Sequence, residues 1–197
     1  MHQLTFPCKG RGGWRPNAGR KRGDRVTHHG RESFERPVVV HLVWRTRDDV
    51  RSLRGRKLFR QIRESFRRCC EKPGFRLVHF VVLGNHVHLI AEADDLEALS
   101  RGMQGLGVSM AKRINFTSER SGAVFQERFY GRYLPTPTEV RNAVLYVLRN
   151  EEGHARRSGL PLPADPHAFT SLAEPPPGRP LTVPPQTWLL RTVALRV

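Results

Sequence analysis

The sequence is short of acid. Its 197 residues hold 18 Asp and Glu against 34 Lys and Arg, a formal charge of +16. A field of that strength favours a polyanionic partner, because basic side chains release the counterions condensed on it. Cysteine is scarce too. Cys8, Cys69 and Cys70 are odd in number and irregular in spacing, which argues against a disulfide framework or a zinc knuckle. A reducing, cytoplasmic setting fits them best. No apolar run approaches the roughly 20 residues a spanning helix requires. No apolar signal core follows the charged N-terminal residues, so no secretory leader is expected. Of the polyanions open to so basic a chain, nucleic acid is expected and a membrane is not.

What is present divides into three parts. A chain of this length with 38% hydrophobic residues fits one modest domain with extensions. Residues 1–36 form a basic, glycine-rich arm with Arg11, Arg15, Arg20, Lys21, Arg22 and Arg25 among its charges. It lacks the apolar content to fold alone and is expected to be disordered in isolation. Residues 37–159 are the expected domain. Residues 160–197 are proline-rich and read as a loop-rich or disordered tail whose end, 188–197, has the composition of a short strand or helix.

Within the domain, residues 37–46 read as a strand, rich in β-branched residues and apolar on both faces. His41 is its odd member, either turned to a functional face or held by a hydrogen bond within the sheet. Leu58, Ile62 and Phe66 recur every four residues and give a helix over about 53–72, stopped by Pro73-Gly74. Asp94-Asp95 suits the start of a second helix over about 96–115. Gly102, Gly105 and Gly107 weaken that helix, or permit another backbone, such as a DNA strand, to approach it. Lys112 and Arg113 at its end are candidates for phosphate contacts. Residues 123–134 read as extended, with aromatics interleaved with Arg128 and Arg132. That mixture suits base stacking and phosphate binding, or else an ordinary amphipathic strand. Thr136, Pro137 and Glu139 make a capping box for a third helix running to about residue 157. Val140, Ala143, Val144, Val147 and Leu148 form its buried stripe, and Tyr146 and Asn150 share another side.

The stretch 80–90 organises the rest. Two apolar runs flank Gly84-Asn85 and read as a hairpin. His86 and His88 lie two apart on its second strand, so both imidazoles point to one face, while Val87 and Leu89 point to the other. Two such imidazoles suit a divalent metal, or are simply polar residues at a half-exposed face.

The histidine pair, the downstream helix with Tyr146 and Asn150, and the basic charge together resemble the single-tyrosine HUH transposases. These are the transposases like that of insertion sequence 200 and the REP-associated tyrosine transposases. The likeness covers roughly residues 37–159, carried by the stretches 83–89, 124–129 and 139–150. Gly84 stands where relatives often have proline, and Glu151-Glu152 where they often have an Asn-Pro turn. The resemblance implies an α+β fold, a central antiparallel sheet with packed helices in a ferredoxin-like arrangement. It implies His86, His88 and Asn150 as metal ligands and Tyr146 as the nucleophile, although taken alone Tyr146 reads as a core tyrosine. Mg²⁺ or Mn²⁺ suits two imidazoles and an amide open to phosphate. The implied substrate is single-stranded DNA, at hairpin ends, cut and rejoined through a 5′-phosphotyrosine link. Relatives include monomers and swapped dimers, so a homodimer stays open. The arm's stretch 12–23, with Arg15-Pro16 and Gly19-Arg20-Lys21-Arg22, resembles the Gly-Arg-Pro core of an AT-hook, with Lys21 where the hook has proline, and otherwise reads as a nonspecific basic tail.

Other routes are less well served. A relative that grips DNA hairpins without cutting would need the charge but not all four of His86, His88, Tyr146 and Asn150. A histidine-triad enzyme wants a third histidine where Ile90 stands, and no Walker loop, acidic transposase triad or paired-cysteine zinc spacing is present.

Overall fold

A computed structural model of the chain describes residues 34, 36–159, 161, 164–173 and 180–194. The arm residues Arg15, Arg20, Lys21 and Arg22 lie outside the described residues. Five strands form one antiparallel sheet: β1 (Val38–Arg45), β2 (Glu71–Lys72), β3 (Phe75–Val82), β4 (His86–Ala93) and β5 (Tyr130–Tyr133), in the order β2-β3-β4-β1-β5. Helices α1 (Arg56–Cys69) and α2 (Leu96–Thr117) connect strands of the sheet, and α3 (Pro137–Leu148), α4 (Asn150–Ser158) and α5 (Trp188–Ala194) follow it. This is the α+β, ferredoxin-like arrangement expected from the sequence. Among the described residues no helix is long and apolar enough to cross a membrane.

The alternation of β1 and β4 divides the core in two. Val40, Leu42, Val87, Leu89 and Ala91 pack with Leu58, Ile62 and Phe66 of α1 and Met103, Leu106 and Met110 of α2. Val39 and Ile90 face the other way, into a cluster with Val140, Val144, Val147 and Leu148 of α3 and Leu190 and Val193 of α5. His86 and His88 share this second face with Ile90, since side chains two apart on a strand point the same way. The sheet therefore presents the histidines to α3, and α1 and α2 lie behind it.

Local chemistry sets the boundaries. Asp95 caps α2 by accepting from Ala98 N at 2.7 Å. Thr136 caps α3: its Oγ1 accepts from Glu139 N at 3.3 Å and donates to Glu139 Oε2 at 2.8 Å. The glycines of α2 serve the protein's own packing. A Cβ on Gly102 would overlap the Phe75 ring, and one on Gly107 the Trp44 ring, so these two gaps let α2 sit close on the sheet. Gly105 faces open space.

Two elements differ from expectation. The third helix is not continuous, because Arg149 (φ −105°, ψ 24°) breaks it and starts α4 at Asn150. Regular strand occupies only Tyr130–Tyr133 of the extended stretch 123–134. Earlier in that stretch, Phe125 stacks on Trp44 at 4.0 Å, and Phe129 is buried in the core. These two aromatics are spent on packing.

Candidate active site

The turn before β4 is held firmly. Leu83 N donates to His86 O at 2.9 Å, closing the hairpin, and the Asn85 carbonyl accepts from both Thr46 N at 2.8 Å and Thr46 Oγ1 at 3.0 Å. The end of β1 thus fixes the residue that precedes His86. The Asn85 side chain then reaches forward, with its Oδ1 2.8 Å from His86 Nδ1. An amide oxygen only accepts, so His86 donates from Nδ1 in this contact, and in the neutral tautomer that follows Nε2 is the basic nitrogen.

His88 is 6% exposed and meets a third histidine. His41 Nε2 lies 3.1 Å from His88 Nδ1. In the register, His41 pairs with Ile90 and Val43 with His88, so His41 and His88 are diagonal neighbours on one face. His41 therefore takes both roles left open by the sequence: it is hydrogen-bonded in the sheet, and it lies on the histidine face. Burial, and then the nearby Arg132 guanidinium, hold its pKa below the usual histidine value.

Tyr146 comes to these rings from α3. Its ring centroid is 5.2 Å from that of His88 and 6.1 Å from that of His41, edge-on to both. It is 44% exposed, so it is not a core tyrosine. Asn142, Leu145, Tyr146, Arg149, Asn150 and Gly153 line a recess of about 280 Å³ where α3 breaks into α4. Asn150 is 2% exposed, and neither its Oδ1 nor its Nδ2 has a hydrogen-bond partner within the protein. A buried amide left so costs about 1–3 kcal/mol for each unsatisfied group, which is a reason to look for a ligand there. Glu151, next in sequence, pairs with Arg54 at 2.8 Å and ties α4 to the loop after β1.

The residues present fit a divalent cation. His86 has its Nδ1 occupied by an acceptor, and the Asn150 oxygen lacks a protein donor. Among the described residues no three His, Cys, Asp or Glu side chains converge as a metal group, so a cation at this face would need a donor of another kind, and an amide oxygen is one.

The cationic candidates divide by face. Arg132 pairs with His41 across β5 and β1, on the histidine face, and its guanidinium holds Glu139 at 2.7 Å. The Thr136 hydroxyl, and then Arg132, keep the Glu139 carboxyl below the usual range. Arg128 is exposed just before β5. Lys112 and Arg113 lie on α2, behind the sheet, where Arg113 donates to Gln61 Oε1 at 2.7 Å. The structure therefore does not bring them to the histidines. Two further residues share the histidine face: Arg45, which the sequence reading did not single out, and Tyr130, read there only as one of the aromatics of 123–134. Arg45 is exposed and pairs with His86, and Tyr130, 69% exposed, pairs with Val43. Their signal was the period of β1 and β5, legible only once the register between those strands is known.

Comparison with known proteins bears on the family and the fold. A model of the IS200-like transposases matches residues 36–141, which include both histidines and end on α3 ahead of Tyr146. A solved REP-associated tyrosine transposase bound to a REP hairpin superposes with a TM-score of 0.52 at 16% identity, covering 66% of this chain and 74% of that one. The crystal structure of a Deinococcus radiodurans R1 chain assigned as a transposase aligns at 17% identity and a TM-score of 0.43, over 59% of this chain and 92% of that one. No curated protein sequence matches significantly. The match spans more than half of the residues and takes in the whole of the sheet: the chain belongs to the family of IS200-like transposases.

Proposed function

We propose that this transposase cleaves and rejoins single-stranded DNA with Tyr146 as nucleophile and His86, His88 and Asn150 as ligands of Mg²⁺ or Mn²⁺. The observation that carries the reading is the meeting of Tyr146 with His88, at 5.2 Å between rings, beside the unsatisfied amide of Asn150. A tyrosine pKa near 10 makes the neutral phenol a poor nucleophile. A bound divalent cation supplies Lewis-acid stabilisation of the phosphoryl oxygens, worth several kcal/mol.

The remaining work falls to the chain. Tyr146 Oη attacks phosphorus and loses its proton to solvent; the bond to the 3′-oxygen breaks, and that oxygen leaves as a hydroxyl. The product is a 5′-phosphotyrosine. The energy of the phosphodiester is kept in it, so attack by another 3′-hydroxyl reverses the step and joins a new strand without a nucleotide cofactor. Asn85 keeps the His86 ring oriented. Arg132 and Arg128, at and before β5, are proposed to hold the strand's phosphates. Arg15, Arg20, Lys21 and Arg22 of the arm are proposed to add affinity for DNA, as are Lys112 and Arg113 on α2, behind the sheet. Because α3 packs on the sheet of its own chain, the reading takes nucleophile and ligands from one copy. The solved relative was bound to a REP hairpin, and hairpin ends are the proposed substrate here, met at the nucleoid.

A cleavage assay tests the proposal. DNA hairpins with single-stranded flanks, labelled at the 5′ end, are incubated with Mn²⁺ and analysed on denaturing gels. The expected result is site-specific nicking of the flank, abolished by EDTA. Tight binding of the same hairpins with no nick in Mn²⁺ or Mg²⁺ would favour a protein that grips DNA without cutting it.

A further inference from the structure

His41 and His88 share one short contact, His41 Nε2 to His88 Nδ1, at 3.1 Å. Their rings lie 20° from parallel with centroids 5.2 Å apart. That separation exceeds the nitrogen contact by about two ring radii, as it does when two imidazoles meet edge to edge through one N–H···N bond. Only one of the two nitrogens carries the bridging proton. For His88 to offer Nε2 to a cation, its own proton must sit on Nδ1, and His41 Nε2 must accept it.

The neighbouring histidine follows the same plan with a different partner. His86 turns Nδ1 to the Asn85 oxygen, which can only accept. Each candidate ligand thus has a neutral group at Nδ1. His41 is not placed as a third ligand, because its Nε2 is engaged by His88. Its Nε2 is directed at a ring nitrogen of His88.

We propose that His41 is a positioning residue for His88: it accepts the Nδ1 proton and so fixes the tautomer and ring orientation that present Nε2 to a divalent cation. The inference rests on the proposed role of His86 and His88 as ligands. Groups that hold a metal ligand in this way typically govern 10–100-fold in metal affinity.

The test is a calorimetric titration of Mn²⁺ into the full chain without DNA, so that the readout is affinity rather than cleavage. His41→Gln places an amide oxygen near the site of Nε2, His41→Asn places one near Nδ1, too short to reach, and His41→Phe fills the volume only. The expected pattern is Gln within about threefold of the parent, with Asn and Phe weaker by about 10–100-fold. Thermal unfolding of each variant verifies that it is folded. Phe binding as tightly as the parent overturns the proposal, because bulk would then suffice. Should Phe fail to fold, equal affinities for Gln and Asn overturn it. A double variant, His86→Ala with His88→Ala, separates the two claims. If it binds Mn²⁺ as the parent does, the ligand assignment itself fails and this role falls with it.

Discussion

Asn150 carries a local cost that the folded chain does not repay. Its amide is 2% exposed and has no hydrogen-bond partner within the protein. Replacing it with alanine is expected to leave stability unchanged or to raise it by about 1 kcal/mol, since two unsatisfied buried groups disappear. Mn²⁺ affinity should fall by about tenfold or more, in the range found when metal sites are disturbed. Thermal unfolding and calorimetry check the two halves; a lower melting temperature with unchanged affinity would make Asn150 structural. His79 shows a different use of a buried polar group. Burial pushes its pKa down to about 4, and its Nδ1 lies 3.2 Å from Ser171 Oγ. The neutral form is favoured in the folded state, so this contribution is complete above the unfolded pKa of about 6.5 and is lost as the pH falls from there towards 4. The loss is on the order of 3 kcal/mol, and urea unfolding at both ends of that window should show it shrink in His79→Gln. The histidine pair was legible because period two on a strand is a local rule, whereas the roles expected of Tyr146 and Asn150 came from the family resemblance. The His41–His88 contact was not legible, because it depends on the register of strands 47 residues apart.

At the scale of elements, close approach explains what composition alone made ambiguous. The glycines of α2 looked like weakness or like room for DNA. Gly102 and Gly107 turn out to be gaps filled by Phe75 and Trp44. Gly107→Ala should therefore cost about 1–3 kcal/mol through overpacking against Trp44. Gly105→Ala, facing open space, should stabilise by several tenths of a kcal/mol or more through helix propensity. Equilibrium unfolding of the two variants checks the opposite signs. The capping box of α3 was readable from three residues. The break at Arg149 was not, since nothing in 140–157 marks it locally except two glutamates, one of which finds Arg54 from a distant loop. The tail offers a parallel case. Glu92 is fully buried on β4, bonded to Arg76, and it accepts from Gln186 N, Thr187 N and Thr187 Oγ1 just ahead of α5. Proline content predicted loops there, and a single carboxylate 94 residues away in sequence supplies the anchor.

For the whole molecule, charge and fold answer separate questions. The formal charge of +16 was plain in the composition and named a polyanion, while the sheet order and the pairing of α3 with the histidine face required long-range contacts. DNA affinity is expected to fall steeply with salt, with a slope of about −0.7 per phosphate neutralised on a single strand. Removing residues 1–36, which hold nine basic and three acidic side chains, should make that slope shallower without abolishing cleavage. Filter binding from low to high salt measures it, and an unchanged slope would place the phosphate contacts wholly outside the arm. The central claim is that Tyr146 is the nucleophile. The measurement that tests it most directly is trapping of the covalent adduct: labelled single-stranded hairpins with Mn²⁺, a denaturing gel, and mass spectrometry of the digested band. A nucleotide linked to the peptide that contains Tyr146, absent with EDTA and in Tyr146→Phe, is the predicted result. An adduct that survives in Tyr146→Phe, or one mapped to Tyr130 or Tyr133, would contradict it.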